Sequence, residues 1–229
     1  MAVAALLSLT ATAAWAETLS APIADVVRSD GLSYNGGGGA AGADHFTGFS
    51  VGSNPGIEGR GYFIFTIPVG QTVTGATLEL NGAIVDNAPA AFTIHPVTAS
   101  AATVSAPHSA DAAGIAVFTD LGDGAAYGGG TYTANGQTLQ FTLNASAIAA
   151  INAAQGGTFI VGFKKTVDAT PGAQDGIFAG SQNSLPRNLI LTRAAPAPVP
   201  TLSEWAMILF GLALAGSAAL YLQRRRQFV

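Results

Sequence analysis

Residues 72–82 read TVTGATLELNG. Leu78 and Leu80 stand two apart, with Thr77 and Glu79 in phase between and before them, and Asn81-Gly82 closes the run. Successive side chains of a strand point to opposite faces, so the leucines take one side and Thr77 and Glu79 the other. That is the pattern of an antiparallel sheet with one dry and one wet face. Asn-Gly is turn chemistry, because both residues tolerate positive φ.

The same grammar continues in both directions. YFIFTIP (62–68) precedes it, and AFTIHPV (91–97), GIAVFTD (114–120), TYTA (131–134), TLQFTLN (138–144), TFIVGFKK (158–165), GIFAGS (176–181) and NLILT (188–192) follow. Short strand-like runs at this spacing predict an all-β protein built as an antiparallel β-sandwich or barrel. One short helix interrupts the series. Asn144 is a good N-cap, ASAIAAINAA places Ile148 and Ile151 on one side, and Gly156-Gly157 stops the helix.

Only 10% of the 229 residues are charged, too few for long surface helices with their usual Glu and Lys pairs. Without two apolar end segments, roughly 180 residues remain, enough for one domain with a complete core. Between Glu17 and Pro200, six basic residues face twelve acidic ones, a net charge of about −6. Nucleic acid is excluded as a partner on this ground, because it needs clustered Lys and Arg to displace counterions. There is no cysteine, which a core of this size can do without in any compartment.

The two ends speak about location. MAVAALLSLTATAAWA, residues 1–16, has an apolar stretch from Ala2 to Leu9 and a small-x-small site, Ala14-Trp15-Ala16, before Glu17. This is the layout of a cleavable secretory signal, although no Lys or Arg precedes the apolar stretch. A buried N-terminal helix is the alternative. At the other end, Ala206 to Leu222 carries no charge and is about long enough to cross a thin bilayer core. Trp205 and Tyr221 stand at its two boundaries, and Arg224, Arg225 and Arg226 in the tail 223–229 are a stop that stays in the cytoplasm. The domain, residues 17–193, is then expected outside the cytoplasm. Before the apolar helix, AAPAPVP (194–200) reads as a stiff polyproline-like spacer, and Pro200 biases Val199 to an extended shape that a protease can bind.

The order of VPTLSEW (199–205), a single apolar helix and a terminal arginine cluster resembles the IPTL-CTERM protein-sorting signal of Gram-negative bacteria, a relative of the PEP-CTERM signals handled by exosortase-type membrane proteases. Pro200, Thr201, Leu202, Glu204 and Trp205 match the motif, Val199 replaces the usual Ile, and Ala206 replaces a frequent Gly. The resemblance implies that Val199 to Trp205, with Ser203 among them, is the stretch a membrane protease recognises. It also implies a temporary anchor at 199–229 that is cut to pass the domain to the surface or the extracellular matrix. A second resemblance covers about Ala24 to Arg193. GRGYFIFTIPVGQTVTGATLEL, FTDLGDGAAYG, TLNASAIAAINAAQGGTFIVGF and GIFAGSQNSLPRNLILT look like the jelly-roll sandwiches of the DNRLRE and carbohydrate-binding-module type. It implies a fold first and carbohydrate binding second.

No residue set identifies a reaction. Gly37 to Gly42 matches G-x-G-x-x-G without a following crossover helix, and Gly48 to Gly52 matches G-x-S-x-G around Ser50 without the strand-to-helix turn that a nucleophile needs. His45, His95 and His108 show no metal spacing. His95, out of phase with Ile94, reads as a satisfied surface imidazole. Asp44, Glu58, Asp86 and Asp175 are dispersed, and glycoside hydrolysis needs two carboxylates converging across a cleft. In DLGDG, Asp120 and Asp123 form a hard-oxygen corner suited to Ca²⁺, and an Asx-type turn explains it as well. Tyr34, Tyr127, Tyr132 and Phe49 suit sugar stacking or core packing. The expectation is therefore a non-catalytic surface or exopolysaccharide-matrix protein without a cofactor, its partners a membrane protease and the bilayer, with polysaccharide as a further candidate. Carbohydrate-binding module and polysaccharide-acting enzyme stand as its rivals.

Overall fold

The structure is a computed structural model that describes residues 13–22, 26–30, 32–34, 47–50, 57–82, 84–85, 89–166, 175–177, 186–196 and 202–226. Two units separate, Ala14–Ala194 and a second made of Met1–Ala13 with Ala195–Val229. The first unit holds β1 (Trp15–Ser20), β2 (Val26–Arg28), β3 (Ser33–Tyr34), β4 (Thr47–Ser50), β5 (Ile57–Thr66), β6 (Val73–Gly82), β7 (Ile84–Val85) and β8 (Ala90–Pro96). It continues with α1 (Ala101–Val104), α2 (Ala112–Asp120), β9 (Gly128–Tyr132), β10 (Gln137–Thr142), α3 (Ala145–Ala153), β11 (Thr158–Lys165), β12 (Asp175–Ile177) and β13 (Arg187–Arg193).

The strands form two sheets, antiparallel throughout. One has the order β1-β13-β6-β10; the other runs β7-β12-β4-β5-β11-β8-β9, with β2 also on β5 and β3 on β2. The opening motif is the centre of the first sheet. In β6, Leu78 lies between Leu189 of β13 and Phe141 of β10, so one row of apolar side chains crosses three strands. Leu78, Leu80, Leu189 and Leu191 are buried in one cluster with Phe63, Phe65, Phe92, Ile94, Val161 and Phe163 of the second sheet. The Phe92 and Phe141 rings meet edge to face at 5.0 Å across the interior. On the wet side, Gln140 and Asn188 both donate to Glu79, and these bonds hold its carboxyl below the ordinary range.

Two glycines let the aromatic layer close. A Cβ on Gly130 would stand 2.0 Å from Cε1 of Phe141, and one on Gly82 would stand 2.4 Å from the Tyr132 ring. Tyr132 fills that space and donates from its hydroxyl to the Leu80 carbonyl at 2.9 Å.

Among the described residues the sandwich carries three helices, where one was expected. α3 starts at Asn144, whose side chain accepts from the Ala147 N–H, and Gly156 behind it has φ +80°. The segment GIAVFTD, expected as a strand, is helix α2. Its Asp111 carboxylate accepts from the Ala113 and Gly114 N–H groups, and the buried Gly114, Val117 and Phe118 fall on one helical stripe. α1 is capped in the same way by Ser100. Val104, Val117, Phe118 and Leu121 pack on Val27 and Tyr62, covering the outer face of the second sheet. β11 is therefore buried on both sides and reads as the almost unbroken apolar run TFIVGFKK.

Candidate functional site at the two chain ends

The second unit contains α4 (Leu202–Arg226), a helix of 25 residues. Within it, the 20 residues Trp205–Arg224 have a mean hydropathy of 1.9 and none is buried. At 1.5 Å per residue that stretch is about 30 Å long, the thickness of a bilayer hydrocarbon core. All backbone groups inside a helix bond to one another, which a chain in lipid requires. The Ser217 hydroxyl is satisfied too, by donating to the Ala213 carbonyl. By length and composition this helix is able to cross a membrane.

The helix begins earlier than the expected 206 and takes in Leu202, Ser203, Glu204 and Trp205. The extended reading of the recognition stretch is thus left to Val199, Pro200 and Thr201, which lie outside the described residues. Arg224 and the two arginines after it occupy the helix end, where cations oppose the dipole of the last carbonyls.

β1 pairs with β13 over six rungs, from Trp15 opposite Arg193 to Ser20 opposite Asn188, so both chain ends leave this unit side by side. Arg193, only 1% exposed, is the hub. Its Nε donates to Glu17 Oε2 at 2.7 Å, Nη1 to the Gln71 carbonyl at 2.7 Å, and Nη2 to the Pro68 carbonyl at 3.0 Å. Its guanidinium carbon lies 5.9 Å from the Trp15 ring. The Ala194 N–H bonds to the Thr72 carbonyl just beyond, and Gly70 takes the Gln155 side chain. One guanidinium thereby ties the first strand, the β5–β6 turn and the exit of the tail together.

The remaining expected site residues scatter. The Asp120 carboxylate accepts from the Thr98 N–H and hydroxyl and from the Ala99 N–H, while Asp123 caps the N–H of its neighbour Gly124. The two aspartates serve separate turns, and no group of three His, Cys, Asp or Glu gathers for a metal among the described residues. Glu58 pairs with Arg60 at 2.8 Å, and Arg60 also stacks 4.0 Å over Phe118 and donates to its carbonyl. The sheet register puts Asp175 opposite Phe49 and Phe49 opposite Glu58, two strands apart. Asp44, Asp86, His45 and the glycine string 37–42 lie outside the described residues.

One expectation changes. His95 is not a surface imidazole. It is 8% exposed, with Nε2 2.7 Å from the Thr93 hydroxyl and Nδ1 3.2 Å from the Asp123 and Gly124 carbonyls. Burial lowers its pKa, against the pull of those carbonyls. It belongs inside because α2 and its following turn cover the outer face of β8, a layer that strand periodicity cannot anticipate. For Tyr127 and Tyr132, which suited sugar stacking or core packing, burial decides for the core, each ring stacked on a phenylalanine. No signal in the sequence pointed to Arg193, because a lone arginine at a strand end reads as solvated.

These observations define a class: a β-sandwich domain in a chain that also carries an apolar helix long enough to cross a membrane. Comparison with known families identifies the tail itself. A sequence profile described as IPTL-CTERM motif matches residues 197–226, so the chain carries a C-terminal sorting signal of that type. Curated proteins give no match to the chain.

Proposed function

We propose that this chain is the precursor of an exported protein of the bacterial surface or extracellular matrix. A secretory signal at the N-terminus starts its export, and α4 holds it in the inner membrane with the sandwich on the periplasmic side. An exosortase-like protease then reads Val199 to Trp205, cuts near them, and frees the sandwich. The single observation that carries this reading is the 20-residue apolar helix with no buried face, lying inside the matched motif. Arg224, Arg225 and Arg226 set the orientation by the positive-inside rule.

The sandwich has a structural or binding role in that matrix rather than a catalytic one. Glu58 is neutralised by Arg60, Asp120 is spent on the turn at 98–99, and His95 is closed in by carbonyls, so these groups are engaged in holding the fold. Polysaccharide is the partner chemistry this setting suggests.

The test is fractionation of the native host, with intact-mass measurement of the protein in each fraction. A product lacking residues 206–229 is expected in the envelope or medium, and full-length protein should accumulate in the inner membrane when the protease is absent. Stable full-length protein as the end product in wild-type cells would overturn the proposal. Converting Arg224, Arg225 and Arg226 to Glu should abolish sorting while leaving the sandwich folded.

A further inference from the structure

Resting on the export reading above, we infer that the leader is removed between Ala13 and Ala14, three residues upstream of the bond that the Ala14-Trp15-Ala16 pattern suggests. The structure uses Trp15 and Ala16 as the first two rungs of β1, opposite Arg193 and Thr192. A cut after Ala16 deletes both rungs from the edge strand of the first sheet and leaves Glu17 to Ser20 to hold it. It also strips the Trp15 ring from the guanidinium that it partly covers.

Electrostatics argue the same way. Cleavage before Glu17 would create an ammonium group on the very residue whose carboxylate is the sole acidic side chain bonded to the buried Arg193 among the described residues. A second cation would then compete for that carboxylate beside a guanidinium shielded from water, where like charges repel most strongly. Cleavage before Ala14 places the new ammonium group beyond the last rung, on a residue that is exposed and outside the strand.

Access and local sequence agree. Ala13 and Ala14 are exposed and in no regular element, so the bond between them can be engaged as an extended chain even when the sandwich has formed. The amide joining Ala16 to Glu17 lies inside the β1–β13 ladder. Ala11-Thr12-Ala13 offers the small-x-small spacing that signal removal needs, and it follows the apolar stretch ending at Leu9 more closely than Ala14-Trp15-Ala16 does. The mature chain therefore keeps Trp15 as part of the Arg193 site.

N-terminal sequencing of the exported protein from its native host decides the matter. The expected first residues are Ala14-Trp15-Ala16-Glu17; a product that starts at Glu17 overturns the inference while the export reading stands. Retention of Met1 on the exported species overturns both. Two substitutions at exposed positions give an independent reading. Ala16→Leu should be processed at the wild-type position and rate, whereas Ala13→Leu should leave unprocessed precursor in the membrane fraction. Blocked processing in Ala16→Leu, with Ala13→Leu processed normally, would refute the assignment.

Discussion

Replacing Arg193 with alanine is the sharpest test of how the sandwich holds the start of its tail. The substitution breaks a 2.7 Å ion pair with Glu17 and removes donors from the carbonyls of Gln71 and Pro68. Removing one partner of a buried pair costs about 3–5 kcal/mol, because the group left behind is desolvated and unpaired. Glu17 keeps partial access to water, with 21% of its side chain exposed, which places the cost at the lower end, about 3 kcal/mol. For a domain of this size each kcal/mol moves Tm by about 2–4 °C, so a fall of about 6–12 °C is expected. Thermal melts of the full chain in detergent, followed by the β-sheet band in circular dichroism, read the sandwich transition. Glu17→Gln alone should cost less than Arg193→Ala, and the double variant should cost less than the sum of the two single variants. Arg193→Lys should fall between, since one ammonium cannot reproduce a three-way fork. A Tm within about 2 °C of wild type for Arg193→Ala, on the same scale, would refute the reasoning.

Gly130→Ala drives a methyl group into the Phe141 ring and should cost about 1–3 kcal/mol by overpacking, read by urea denaturation; Phe141→Leu in the same chain should recover part of the loss. His95 is buried with its pKa lowered, so the unfolded chain takes up its proton first as pH falls below about 6.5. Its contribution is complete above that value and is lost toward acid, so Tm should decline below about pH 6.5, and His95→Gln should flatten that part of the pH profile. Asp111→Ala removes the cap of α2 and should cost about 1 kcal/mol, measured by chemical denaturation. Asp120→Ala frees Thr98 and Ala99 and should lower Tm by the same amount with calcium present or chelated; protection by calcium in wild type alone would show that the carboxylate binds the ion instead.

Much of the architecture was legible in the residues because it depends on local periodicity. The alternation in 72–82 marked a strand with one dry face, and Asn144 with the double glycine marked α3, since side-chain alternation and capping act over a few residues. The tail was legible for the same reason: its apolar length, flanking tryptophan and arginine cluster are properties of one continuous segment. Where the reading failed, a second layer had intervened. GIAVFTD is rich in strand-forming residues, and its cap Asp111 with the stripe at Gly114, Val117 and Phe118 competes with that preference; contact with Val27 and Tyr62 decides in favour of helix.

The sheets with one dry face and the apolar helix long enough to cross a membrane could be read from the residues alone, because both follow from which side chains recur along a few consecutive positions. Long-range packing alone puts His95 and Tyr132 in the interior, lays α1 and α2 over a second face, and sets Arg193 between β1 and β13. Those outcomes depend on which segments far apart in the chain come to exclude water from the same space, and no local pattern records that choice.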